Sequence, residues 1–260
     1  MSATRAKPAD RAWLLREDPD LGAALSASSR PIAEQRVVAP TITVGPGLWT
    51  PAGDREPGAG DLGFLVLEGL LLRELDLHGA STAELVGAGD VLRPWAGDGP
   101  GPGFAGEATW QVVEPARLAV LDRGVAAMIG RWPELMATLL DRSVQRTHDL
   151  AFHLAVCSIP RLETRVLAVL WNLAGRWGRV TPHGVVLALP LSHRVLAYLV
   201  SARRPSVTVA LGRLVERGMV ERGERAGWVL HGDPPEELDE IRRRLADQPG
   251  GGGGGGGAQR

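Results

Sequence analysis

Two short apolar stripes flank a turn between residues 191 and 214, and no other pattern constrains the chain as tightly. In SARRPSVTVALGRL (201–214), Val207, Leu211 and Leu214 stand at i, i+4 and i+7, one face of an α-helix and therefore its buried side. Ser206, Thr208, Val209 and Arg213 then face outward. Pro205 suits a first helical turn, where its missing N–H costs nothing and its fixed φ is already helical. Just upstream, LSHRVLAYLV (191–200) offers Ser192 as an N-cap, followed by Val195, Leu196, Leu199 and Val200 as a second stripe. Two amphipathic helices around a turn of about three residues make a helix-turn-helix. In that arrangement the N-terminal residues of the second helix meet base edges in the major groove, where small side chains permit close approach and arginine can bond guanine bidentately. An αα-hairpin with a solvated charged face has the same periodicity, so the flanks must decide.

Both flanks read as small β-hairpins. MVERGERAGWVL (219–230) alternates apolar and polar residues around a turn at 222–227, and RVTPHGVVLALPL (179–191) turns at 182–184. A helix pair between two hairpins is a winged helix, whose wing would bring Arg222 and Arg225 to phosphates. Charge supports this reading. Residues 160–227 hold eleven arginines against four carboxylates, a net of +7 inside a chain whose formal charge is −1. A basic block within a mildly acidic protein is the footprint of a nucleic-acid-binding domain attached to something else.

The rest of the sequence sets bounds. A length of 260 residues with 44% hydrophobic content allows two ordinary domains. Neither a membrane-length apolar run nor a signal-peptide core is present, which predicts a cytoplasmic protein. The single cysteine, Cys157, rules out an internal disulfide and an iron–sulfur cluster held by one chain, and the six histidines show no metal-ligand spacing. No Ser/His/Asp or Cys/His arrangement suggests an enzyme.

Residues 37–121 read as short strands separated by Gly, Pro and Asp, which predicts a small barrel or jelly roll. LVLEGLLLREL has helical character too, but Gly69 at its centre favours a strand. The glycine-rich stretch 96–108 reads as a loop, and the eight glycines at 250–257 as a disordered tail. From Pro133 the pattern is helical until Pro160. Met136, Leu140, Ser143, Thr147, Leu150, Leu154 and Cys157 alternate spacings of four and three, an a/d seam. A second stripe, Leu135, Leu139 and Phe152, is available to pack on the barrel, leaving the seam for a second copy of the chain.

In this order of parts the chain resembles the Crp/Fnr superfamily of bacterial transcription regulators. The likeness runs from about residue 37 to 231 and is strongest in LSHRVLAYLVSARRPSVTVALGRLVERGMV, with weaker support from LVLEG, AGD and WNLA. It implies an α+β protein: an N-terminal jelly-roll sensor of the cyclic-nucleotide-binding type (37–132, after an N-terminal segment, 1–36), a dimerisation helix (133–159), a winged helix-turn-helix (160–233), and a short helix and tail (234–260). It also implies a homodimer on palindromic double-stranded DNA, with RNA polymerase as a further partner. The base-contacting positions of the family read Arg204, Pro205, Ser206, Thr208 and Val209 here. Pro205 and Val209 stand where well-studied members carry a glutamate and a second arginine, so the operator should differ. Ser192, Arg203 and Arg213 complete the candidate DNA-binding set with Arg222 and Arg225.

The sensor departs further. Nucleotide-binding members carry a Gly-Glu pair and an Arg followed by Ser or Thr. Here Gly89-Asp90 leads into VLRPW, Glu107 lies near the expected arginine, and the long helix shows Leu150-Ala151 in place of hydroxyls. A carboxylate near a phosphate site opposes binding, which argues against cyclic AMP. Nothing favours haem through a histidine such as His78. The cofactor is left unknown, with an unidentified effector in the barrel expected to shift the two winged helices through the long helix. Two alternatives stay open, a cupin-like small-molecule-binding protein or enzyme without DNA binding, and a signalling module that binds protein only.

Overall fold

The computed structural model describes residues 6–51, 58–77, 80–94, 107–223 and 227–246. They fall into two compact units, one drawn from Met1–Asp149 with Ser192–Arg203, the other from Leu150–Leu191 with Arg204–Arg260.

In the first unit the expected strands form an antiparallel sheet. Its strands are β1 (Lys7–Trp13), β2 (Val38–Val44), β3 (Gly47–Trp49), β4 (Gly63–Leu77), β5 (Ala80–Gly87), β6 (Val91–Leu92) and β7 (Glu107–Leu121). The order is β1-β2-β7-β4-β5, with β3 on β7 and β6 on β4. The start of β4, GFLVL, is continuously apolar because both of its faces are covered. Phe64 and Val66 enter a cluster with Trp49, Trp110 and Leu118. Leu65 and Leu67 enter a second one with Leu14, Leu21, Leu121 and Ile129. Gly69 lies at the irregular register of β4 on β7, at φ +93°, where an added Cβ would come within 2.3 Å of the Pro115 carbonyl oxygen. The segment is a strand, as expected, and its bulge needs glycine. Asp90 of the AGD stretch is buried and accepts the Gly87 N–H at 2.8 Å, closing the turn into β6.

The segment 1–36, for which the sequence suggested no structure, contributes β1 and the helices α1 (Leu14–Glu17) and α2 (Arg30–Arg36). Helix α3 (Arg123–Ile129) starts on Asp122, whose carboxylate accepts the Val125 N–H at 2.9 Å. The long helix, α4, runs Pro133–Cys157. Leu135 and Leu139 sit in the core cluster of the first unit, while Phe152 and Val156 are buried within the second.

The second unit holds α5 (Leu162–Trp177) and a small sheet ordered β10-β11-β9-β8, made from β8 (Gly178–Thr181), β9 (Gly184–Leu187), β10 (Val220–Arg222) and β11 (Trp228–Leu230). These are the two expected hairpins. Helix α6 (His193–Leu199) packs against β5 and is counted with the first unit. Helix α7 (Arg204–Glu216) packs on α5, as does α8 (Glu236–Ala246). The expected glycine-rich loop at 96–108 lies outside the described residues up to Phe104-Ala105-Gly106, and its last two residues open β7. The glycine tail lies outside them entirely. Among the described residues no helix is long and apolar enough to cross a membrane.

Candidate nucleic-acid interface and sensor cavity

Helix α7 divides as its spacing predicts. Val207, Ala210, Leu211 and Leu214 are buried, whereas Arg203, Arg204, Pro205, Ser206, Thr208, Val209 and Arg213 are exposed. Val209 is an apolar side chain 54% exposed, between polar neighbours. The Thr208 hydroxyl donates to the Arg204 carbonyl at 3.1 Å, a back-bond within the first turns that still leaves oxygen lone pairs outward. Ser192 acts as the N-cap of α6, its hydroxyl accepting the Val195 N–H at 3.2 Å, and is itself exposed. Ser201 takes φ +48° just after α6, and the Ala202 N–H returns to the Ala197 carbonyl at 2.9 Å, ending that helix before α7 begins.

Two of the candidate arginines are already engaged. Arg213 pairs with Glu163 at 2.5 Å, and this hydrogen bond holds the Glu163 carboxyl below its usual range. Arg222, exposed on β10, stacks over the Trp228 ring at 4.6 Å, while the buried Trp228 Nε1–H donates to the Leu191 carbonyl at 3.3 Å. That stack gives the guanidinium a fixed station at the start of the wing. Arg225 lies outside the described residues.

The candidate seam on α4 is largely bare. Leu140 and Leu154 are 64% and 72% exposed, Leu150 is exposed, and Ser143 and Thr147 face solvent with their hydroxyls donating to the preceding turn. Val144, which the spacing did not single out, adds to the exposed apolar surface. The seam's ends differ. Met136 packs partly into the first unit's core, and Cys157 is half-buried with its Sγ 3.6 Å from His153 Nε2.

Within the first unit, β4, β6, β7 and α4 line a cavity of about 460 Å³ that opens to solvent. Arg73, Arg93 and Arg146 project onto it beside Trp110 and Leu139. Arg146 grips Glu84 with a fork, Nε to Oε1 at 2.5 Å and Nη2 to Oε2 at 2.8 Å, and Arg73 stands 3.9 Å from the same carboxylate while lying over Trp110. The sequence reading did not find these arginines. Their signal was a cation interrupting each apolar stretch, as in LLLREL and VLRPW, and nothing local says that three such interruptions converge. Leu150 and Ala151, which stand where nucleotide-binding members of the family present hydroxyls, are not among the described lining residues. Glu107 opens β7, its side chain outside the described set, and His78 lies outside it too.

One further cluster was not anticipated. On α6, Arg194 lies over the Tyr198 ring and donates to its hydroxyl at 3.2 Å, and both act on Glu74 of β4. Burial pushes the Glu74 carboxyl up, only partly opposed by Arg194 and by the Tyr198 hydrogen bond.

Comparison with known proteins agrees with this architecture. Residues 164–235 match the model of the Crp-like helix-turn-helix domain. No curated protein matches the sequence. Among solved structures, a CooA mutant from Carboxydothermus hydrogenoformans aligns over 79% of this chain and 87% of its own, with 17% identity and a TM-score of 0.56. FixK2 from Bradyrhizobium japonicum covers 83% of this chain and 99% of its own at 16% identity and a TM-score of 0.55. A CRP/FNR-family transcriptional regulator from Thermus thermophilus covers 81% and 100% at 24% identity and 0.51. At such identities the likeness is one of fold. Residues 164–235 therefore form a match to the Crp-like helix-turn-helix domain, and the fold over about four-fifths of the chain is similar to that of these solved structures.

Proposed function

We propose that this protein is a homodimeric, sequence-specific DNA-binding transcription regulator whose first unit takes a small-molecule effector. The observation that carries the reading is the face of α7: Arg204, Ser206, Thr208 and Val209 stand exposed over a buried Val207, Leu211 and Leu214 stripe. Small residues beside an arginine let a helix seat deeply in the major groove, where Arg204 can reach a guanine edge and Val209 a thymine methyl. Ser192, Arg203, Arg213 and Arg222 would hold the duplex through its phosphates, Arg213 by exchanging Glu163 for a phosphate oxygen. The bare stripe of Leu140, Leu150 and Leu154 suits the same stripe on a second copy, and a two-fold pair would present two recognition helices to a palindrome. RNA polymerase is the further partner this role calls for.

The test is a titration of the purified full-length protein with genomic fragments it selects, against salt. A protein neutralising about six to ten phosphates loses roughly 10³–10⁵ in affinity between about 50 and 200 mM salt. A flat response, or equal affinity for selected and unselected fragments, would remove the reading.

A further inference from the structure

We infer that the cavity in the first unit takes an organic anion built as one acidic head on an apolar body. This deepens the effector reading and rests on it. Its volume of about 460 Å³ lies in the range of small-molecule sites, roughly 300–1,000 Å³. The wall is apolar for the most part, with Trp110, Leu139 and Val91 offering ring and branched carbons. Among the described lining residues, Ser143 is the one hydroxyl or amide side chain. A sugar or base, whose hydroxyls and ring nitrogens each ask for a partner, is poorly served by such a wall.

Charge decides the head. Three guanidinium groups meet the cavity, and the carboxylate beside them, Glu84, is shared between Arg146 and Arg73. Among the described residues the three guanidinium groups outnumber this one carboxylate. Arg146 is held in place by its fork on Glu84 and by a bond from Nη1 to the Val91 carbonyl at 3.3 Å. Arg93, exposed just beyond β6, also lines the cavity. A planar fork matches a carboxylate or a phosphate equally well, so the shared chemistry is an anionic oxygen pair. The body then lies inward, over Trp110 and Leu139. Met136, Leu140 and Ser143 belong both to this wall and to the candidate seam of α4, so an occupied cavity changes the surface on which a second copy would pair.

The experiment is calorimetric titration of the full-length protein with decanoate, decyl phosphate and 1-decanol, each below its aggregation limit, and with cyclic AMP. At least one of the two anions should bind tenfold or more tightly than decanol, and whichever binds more tightly names the head. Arg93→Gln, a change at an exposed position, should weaken that anion at least fivefold and leave decanol unchanged. Decanol binding as tightly as both anions, cyclic AMP binding more tightly than either, or no binding of either anion would overturn the inference. DNA affinity measured without probe reports on the regulator reading separately, because a protein that binds its DNA and ignores both anions refutes the ligand class alone.

Discussion

Two groups of arginines in this protein carry the same charge in different surroundings. Arg203 and Arg204 stand exposed where α7 begins, whereas Arg73 and Arg146 are drawn over a sheet and tied to one carboxylate, Glu84, which is itself only 12% exposed. The comparison teaches that an arginine's role follows from its counter-ion. A guanidinium in solvent keeps its fork open, as the proposed nucleic-acid contact requires. One held by a half-buried carboxylate is fixed in direction, and it offers an incoming anion a prepared positive wall without having to be ordered first.

The largest effect should come from breaking the exposed group. Arg204→Ala should cost about 1–3 kcal/mol on the selected DNA site and relax discrimination at one base position. Quantitative binding to single-base variants of the site checks this, and an equal loss on every sequence would make Arg204 a phosphate contact. Next comes the counter-ion of the held group. Glu84→Gln leaves two half-buried guanidinium groups without their shared carboxylate and should destabilise the folded protein by about 1–3 kcal/mol, read as a lower Cm in urea. If Cm does not move, the fork is ornamental and the comparison fails. The smallest effect sharpens the boundary between the groups at Arg194, which is exposed yet faces the half-buried Glu74. Because burial raises the Glu74 carboxyl, the stability it contributes is present in full below its unfolded value near 4.5 and is lost as pH rises through the higher folded value. Glu74→Gln should therefore stabilise the fold slightly at pH 7, by well under about 1 kcal/mol because solvent screens this part-exposed group, read as a small rise in Tm, and the gain should vanish in acid. A gain that persists in acid would mean that packing, and not titration, is responsible.

Much of the fold was legible because its signals are local. The burial of Val207, Leu211 and Leu214 follows from helical spacing, the Ser192 cap from one hydroxyl before an apolar run, and the strands of 37–121 from alternation broken by turn residues. The exposure of Leu140, Leu150 and Leu154 on α4 follows from its heptads for the same reason, whereas Met136 at one end of the stripe packs into the core. β1 was not, since KPADRAW has neither alternation nor an apolar run and is a strand only because the edge of β2 receives it. The association of α6 with β5 was equally invisible, because its buried stripe says that it packs and not on what.

The sequence by itself determined which elements exist and which of their faces are apolar, because backbone periodicity converts residue order directly into sidedness. Only the tertiary structure decided which charges meet. Arg146 finds Glu84 across 62 positions and Arg213 finds Glu163 across fifty, and the cavity exists because β4, β6, β7 and α4 close around arginines that are strangers in sequence. Electrostatic pairing acts over a few ångströms in space and has no period along the chain, so no pattern of residues announces it before the fold brings the partners together.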